Sequence, residues 1–142
     1  MTPSPGEPLL GRCACGAVRF EVRAPFRSAT YCHCHRCQRR TGTGFSASAR
    51  ITRDDFEILT GADLIRSWQP ADGMAKAYCA ECGGHLFAGS LDAEFVSVRL
   101  GTIQGDPGIR PECHQWVSSA VAWEDIPDDG LPRYEESRPD PS

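Results

Sequence analysis

Residues 17–22 (AVRFEV) alternate, with Val18, Phe20 and Val22 on one side and Arg19 and Glu21 on the other. A period of two is that of a strand with one buried face. Short stretches of similar β character recur at 28–32, 45–50, 56–60, 64–69, 74–78, 86–89, 95–100 and 114–118, most of them separated by Gly, Pro or Asp. The run Phe95-Val96-Ser97-Val98-Arg99-Leu100 is the clearest, and Gly101 closes it with a turn signal. No stretch of eleven or more residues sustains a 3.6-residue apolar period, so long helices are not expected. One short helix is predicted over residues 34–41, stopping at Gly42. The chain reads as mainly β.

Residues 1–10 hold three prolines and predict a flexible lead-in, while 135–142 (EESRPDPS) predict a flexible tail. Residues 11–134 are then one domain, in keeping with a length of 142. Gly and Pro contribute 14 and 11 residues, more than usual, which fits many turns between short strands. No apolar run exceeds four residues, which argues against a transmembrane helix and against the apolar region of a signal peptide. A cytoplasmic protein with no membrane partner is expected.

The net charge of −4 hides an asymmetry: residues 1–53 carry nine Arg and two acids, whereas residues 54–142 carry seventeen acids against five Arg and Lys76. A basic segment within an acidic chain suggests a local anion site. Without interleaved aromatic and basic residues, a nucleic-acid partner is not expected.

The eight cysteines fall into Cys13-Ala14-Cys15, Cys32-His33-Cys34-His35-Arg36-Cys37, Cys79-Ala80-Glu81-Cys82 and a lone Cys113. Nothing indicates an oxidising compartment, and thiolates one or two residues apart converge readily on one ion, so metal is favoured over disulfides. The central triplet supplies three ligands by itself, leaving Cys13, Cys15, Cys79 and Cys82 for a closed site. Four thiolates make a structural zinc site, whereas three protein ligands leave the open position typical of catalytic zinc. Spacing leaves two alternatives open: Cys13 and Cys15 joined to Cys32 and Cys34, or His33 or His35 closing the central site. Cys113 is expected as a small buried hydrophobe, and Trp68, Trp116 and Trp123 as core.

These motifs resemble the glutathione-dependent formaldehyde-activating enzymes. The resemblance rests on Gly11-Arg12-Cys13-Ala14-Cys15-Gly16, on Cys32-His33-Cys34-His35-Arg36-Cys37 with Gly42, and on Cys79-Ala80-Glu81-Cys82-Gly83. Gly101-Thr102, Asp106-Pro107, Pro111, His114, Trp123 and Asp129-Gly130-Leu131-Pro132 extend it toward the C-terminus. It implies a single-domain β-tent of coiled antiparallel sheets with zinc-binding knuckles. It also implies two zinc ions per chain, a structural one on Cys13, Cys15, Cys79 and Cys82 and a catalytic one on Cys32, Cys34 and Cys37. The implied activity is a carbon–sulfur lyase equilibrium between S-hydroxymethylglutathione and glutathione plus formaldehyde. Arg36, Arg39 and Arg40 are the candidates for binding the carboxylates of the thiol, and His114 for carrying a proton. The competing expectation is a non-catalytic zinc module that docks a protein or nucleic acid.

Overall fold

Val18, Phe20 and Val22 are all fully buried, as their alternation requires. The structure, a computed structural model, describes residues 2–90 and 92–139. Its described residues form ten strands and one α-helix: β1 (Leu9–Arg12), β2 (Arg19–Val22), β3 (Ser28–Cys32), α1 (His35–Thr41), β4 (Ser46–Thr52), β5 (Phe56–Thr60), β6 (Ile65–Trp68), β7 (Lys76–Cys79), β8 (His85–Ala88), β9 (Phe95–Arg99) and β10 (His114–Gln115). No helix among them is long and apolar enough to cross a membrane.

Two sheets face each other. A three-stranded sheet has the order β1-β2-β5, and a seven-stranded sheet the order β10-β3-β4-β9-β8-β7-β6. All pairings are antiparallel except β10 with β3, which is parallel. The core lies between the sheets, where Phe56 of β5 packs against Phe20 at 5.0 Å and Phe87 at 5.1 Å between ring centroids. Ile51, Val96, Val98 and Leu86 fill the large-sheet side and are essentially inaccessible. Each such side chain, removed from water, stabilises by about 2 kcal/mol.

Several expectations shift. Leu9 and Leu10, placed in the lead-in on sequence, are half of β1 and pair with Val22 and Glu21. A strand of four residues with only two apolar side chains before Gly11 leaves almost no periodic signal. At the other end, the 114–118 stretch shortens to two residues because Trp116 adopts a left-handed conformation, φ 58°. The expected tail is fastened beside it: the N–H groups of Trp116 and Ser118 donate to the carbonyls of Glu136 and Glu135, and the Arg138 guanidinium donates to the Ala29 carbonyl. Met1 and residues 140–142, at the ends of those two predicted segments, lie outside the described residues. The tryptophans are not all core, since Trp68 is 48% and Trp123 70% exposed. Cys113 is buried, against the Thr30 hydroxyl and Arg138.

Candidate metal centres and thiol cleft

Two hairpin turns build the first centre. The β1–β2 turn carries Cys13 and Cys15, and Gly16 at φ 79° lets it reverse. The β7–β8 turn carries Cys79 and Cys82, closed by the Gly83 N–H donating to the Cys79 carbonyl. The four sulfurs lie within 4.8 Å of one another. Cys13 Sγ is 3.6 Å from Cys15 Sγ, and Cys15 Sγ is 3.9 Å from Cys79 Sγ. A tetrahedron with zinc–sulfur bonds of about 2.3 Å has edges of about 3.8 Å, so the donor set fits that ion. The Val18 N–H also donates to Cys13 Sγ at 3.3 Å. Hydrogen bonds from the backbones of Cys15 and Gly84 bring the Cys82 thiol down to about 6, which favours the thiolate that a metal needs.

The second centre straddles the end of β3 and the start of α1. Cys32 closes β3, Cys34 caps α1 with its sulfur accepting from the Cys37 N–H at 3.3 Å, and Cys37 lies in the first turn. Gly42 ends the helix in the left-handed conformation, where a side chain would be strained. The three sulfurs lie within 4.8 Å of one another, and among the described residues no imidazole, carboxylate or fourth thiol joins them. The four-plus-three grouping is therefore the geometric one, and neither His33 nor His35 closes the central cluster. Cys37 is the sulfur with the strongest tendency to ionise: hydrogen bonds from the Cys32 and Cys34 thiols hold it far below the usual thiol range, helped by the Ser46 hydroxyl at 3.1 Å and by Arg99. Cys32 moves the opposite way, because it donates to its two neighbours and is buried.

Cations gather on this cluster from three elements. Arg40 of α1, Lys76 of β7 and Arg99 of β9 all feel the Cys37 charge. Burial and their mutual repulsion push the pKa values of Arg40 and Lys76 down. His85 is held to about 4 by burial and by Arg40 and Arg99, so its ring is neutral at physiological pH. An open cleft of about 570 Å³ runs from Arg12 and Cys13 past Ser46, His85 and Arg99 to Thr41 and Thr43, and none of its lining residues is an acid.

The arginines singled out by sequence separate. Arg40 joins the cation group, Arg39 is exposed, and Arg36 is ion-paired with Asp72 and sits 5.8 Å over the Trp68 ring. Arg99, Lys76 and His85 were missed because strand residues far apart in sequence converge only once the sheet forms. His114 is 2% exposed and both of its ring nitrogens are engaged, one by Asp129 at 2.8 Å and one by His33 at 2.9 Å. It has no nitrogen left for a substrate.

The chain matches the family described as glutathione-dependent formaldehyde-activating enzyme over residues 8–119. A Penicillium rubens protein named for that family is 27% identical over 132 residues, covering 85% of this chain and 68% of its own. A crystal structure of a Rhodobacter sphaeroides protein, 22% identical, superposes with a TM-score of 0.59 over 88% of this chain and 98% of the other. That likeness concerns the fold.

Proposed function

The chain belongs to the glutathione-dependent formaldehyde-activating enzyme family, and from that premise we propose that it is a carbon–sulfur lyase. Its substrate would be the adduct of a carboxylate-bearing thiol with an aldehyde, as in S-hydroxymethylglutathione. The observation that carries this reading is the ionisable Cys37 sulfur, which feels the charges of Arg40, Lys76 and Arg99 and is held by the Ser46 hydroxyl, itself in the wall of an acid-free cleft with Arg99 and His85.

Cys13, Cys15, Cys79 and Cys82 would hold a structural zinc, and Cys32, Cys34 and Cys37 a second one. That second ion would offer an open position to one further sulfur and favour its thiolate form. The protein's own groups do the rest. Arg40 and Arg99 attract and orient the carboxylates, which bind a guanidinium in bidentate fashion. The Ser46 hydroxyl and the Cys34 cap keep the three sulfurs from turning away. In the cleavage direction the carbon–sulfur bond breaks with its electron pair passing to sulfur, while the hydroxyl proton leaves oxygen as the C=O bond forms. His85 is the imidazole in the cleft wall, and it donates to the Arg40 carbonyl. Its other nitrogen is bare and takes up that proton as the bond breaks, and the proton then passes to the departing sulfur or to solvent as the thiol is released. Eight free thiols suit a reducing compartment, and the cytoplasm is the proposed location.

The test is formaldehyde release from S-hydroxymethylglutathione, measured above the spontaneous rate. The wild type should accelerate it, and a Cys32→Ser, Cys34→Ser, Cys37→Ser variant should not, with its circular dichroism unchanged. A wild type no faster than the spontaneous reaction, or a triple variant as fast as wild type, overturns the reading. A docking module would show no catalysis at all.

A further inference from the structure

Arg12 and Arg19 stand directly opposite each other in the β1–β2 pair, at the base of the turn that carries Cys13 and Cys15. Both are exposed, and among the described residues neither is ion-paired. Like charges directly opposite on a strand pair destabilise it. Arg23, at the other end of β2, is by contrast paired with Glu21 and Glu57. Nothing in the first metal centre or in the proposed lyase reaction uses the Arg12–Arg19 pair.

The turn itself fixes where the two guanidiniums lie. Arg19 Nε donates to the Gly16 carbonyl at 3.0 Å, which leaves its terminal nitrogens for a partner from outside the described residues. A Cβ on Gly16 would lie 3.1 Å from Arg12 Nη1 and 3.8 Å from Arg19 Nη2, so both side chains hang over this residue. Gly16 has φ 79° and no side chain, and a larger residue would intrude on the space they share. Arg12 also lines the acid-free cleft of about 570 Å³, which has Ser46 and Arg99 among its other lining residues. The pair thus joins the turn of the first metal centre to the cleft beside the second.

We propose that Arg12 and Arg19 form a carboxylate clamp that holds the terminal carboxylate of a peptide-sized thiol and so sets the specificity of the cleft. This rests on the reading of the site as one for a carboxylate-bearing thiol. The cleft is as large as pockets that enclose a whole small-molecule ligand, about 300–1,000 Å³, and a two- or three-carbon thiol would leave most of it empty. An extended tripeptide reaches about 10 Å, so its sulfur and its terminal carboxylate occupy different parts of such a cleft. Of the two carboxylates of glutathione, the γ-glutamyl one has an ammonium beside it and the glycine one does not. Two guanidiniums without an acid partner repel that ammonium, so the glycine carboxylate is the one they hold. Each guanidinium presents paired N–H donors that match a carboxylate's two oxygens.

Calorimetry with glutathione and with its glycine ethyl ester reads the clamp without needing turnover. At low salt the wild type should bind glutathione at least about fivefold more tightly than the ester, the yield of two exposed ion pairs. That preference should shrink in about 0.5 M salt. In the double variant Arg12→Gln, Arg19→Gln the two affinities should lie within about twofold, and either single change should give an intermediate preference. The ester should keep its wild-type affinity throughout, which a damaged cleft would not allow. The melting temperature should not fall, because the double change removes like charges that face each other. The clamp is overturned if the wild type binds neither compound or binds both equally. It is equally overturned if the double variant keeps the fivefold preference, or loses the ester together with glutathione. The lyase reading fails on a separate measurement, formaldehyde release no faster than the spontaneous rate, and a preference seen by calorimetry would then still establish the clamp.

Discussion

Arg40 and Arg99 illustrate how much a single side chain's surroundings decide. Three arginines lie beside the central cysteines in sequence, but Arg36 is already paired with Asp72 and Arg39 faces solvent. Arg40 is the one partly buried with its charge felt by Cys37, and the Arg99 charge acts on it as well. Arg40→Glu together with Arg99→Glu should therefore raise the Kd for glutathione at least about tenfold, while Arg39→Glu should change it less than about twofold. Calorimetry at two salt concentrations checks this, and the wild-type affinity should fall with salt because the cleft is open. His85 makes a second prediction at this scale. Its pKa is lowered to about 4 in the folded state against about 6.5 in the unfolded chain, so the unfolded state takes up the proton first. The stability it contributes is complete above about pH 6.5 and is lost as pH falls toward 4. His85→Gln should flatten the decline of the melting temperature between those two pH values; an unchanged slope would place the proton uptake elsewhere.

At the scale of elements, the local signals in the sequence recover most of the sheet. Alternation found β2 and β9, and the Cys34–Gly42 segment reads as a helix because a capping residue and a terminating glycine bracket it. β1 escaped because Pro8 precedes it and Gly11 interrupts it. That glycine is required by packing: the Phe20 ring covers it across the strand pair, and a Cβ there would come within 2.3 Å of the ring. The cysteine turns were legible as ligand pairs from spacing alone. The histidine chain was not, since His33 meets His114 only through the parallel β10–β3 pairing, and Asp129 meets it only where residues 132–134 return beside β10. Gly61 carries the prediction that belongs here. It follows β5 with φ 76°, and a Cβ on it would sit 2.3 Å from the Ala17 carbonyl oxygen, in the turn that holds Cys13 and Cys15. Gly61→Ala combines backbone strain with a clash against main chain, and should cost about 3 kcal/mol in urea unfolding. A loss below about 0.5 kcal/mol, the range of an ordinary surface change, would show that the turn yields freely.

For the whole molecule the decisive tie is the four-cysteine centre. It joins the turn of the small sheet to a turn of the large one, across a sequence separation of 64 residues between Cys15 and Cys79. The binding free energy of a structural zinc, about 10–16 kcal/mol in small domains, is as large as the whole stability of an ordinary protein, about 5–15 kcal/mol. Losing that ion should therefore unfold the chain, although the core between the sheets is intact in composition. Cys79 is the ligand to test, because it is fully buried at the end of β7 and has no solvent to take up a misplaced side chain. Cys79→Ser should yield insoluble or molten protein, with lost near-ultraviolet dichroism and retained far-ultraviolet signal in any soluble fraction. The triple serine variant of Cys32, Cys34 and Cys37 should behave in the opposite way. Its changes are confined to the end of β3 and the first turn of α1, at the margin of the core, so it should fold and carry one zinc per chain by elemental analysis where the wild type should carry two. A Cys79→Ser protein with wild-type melting temperature would remove the structural role from this centre. A triple variant that loses both ions would show that the two centres stand or fall together, and the division of labour between them would have to be abandoned.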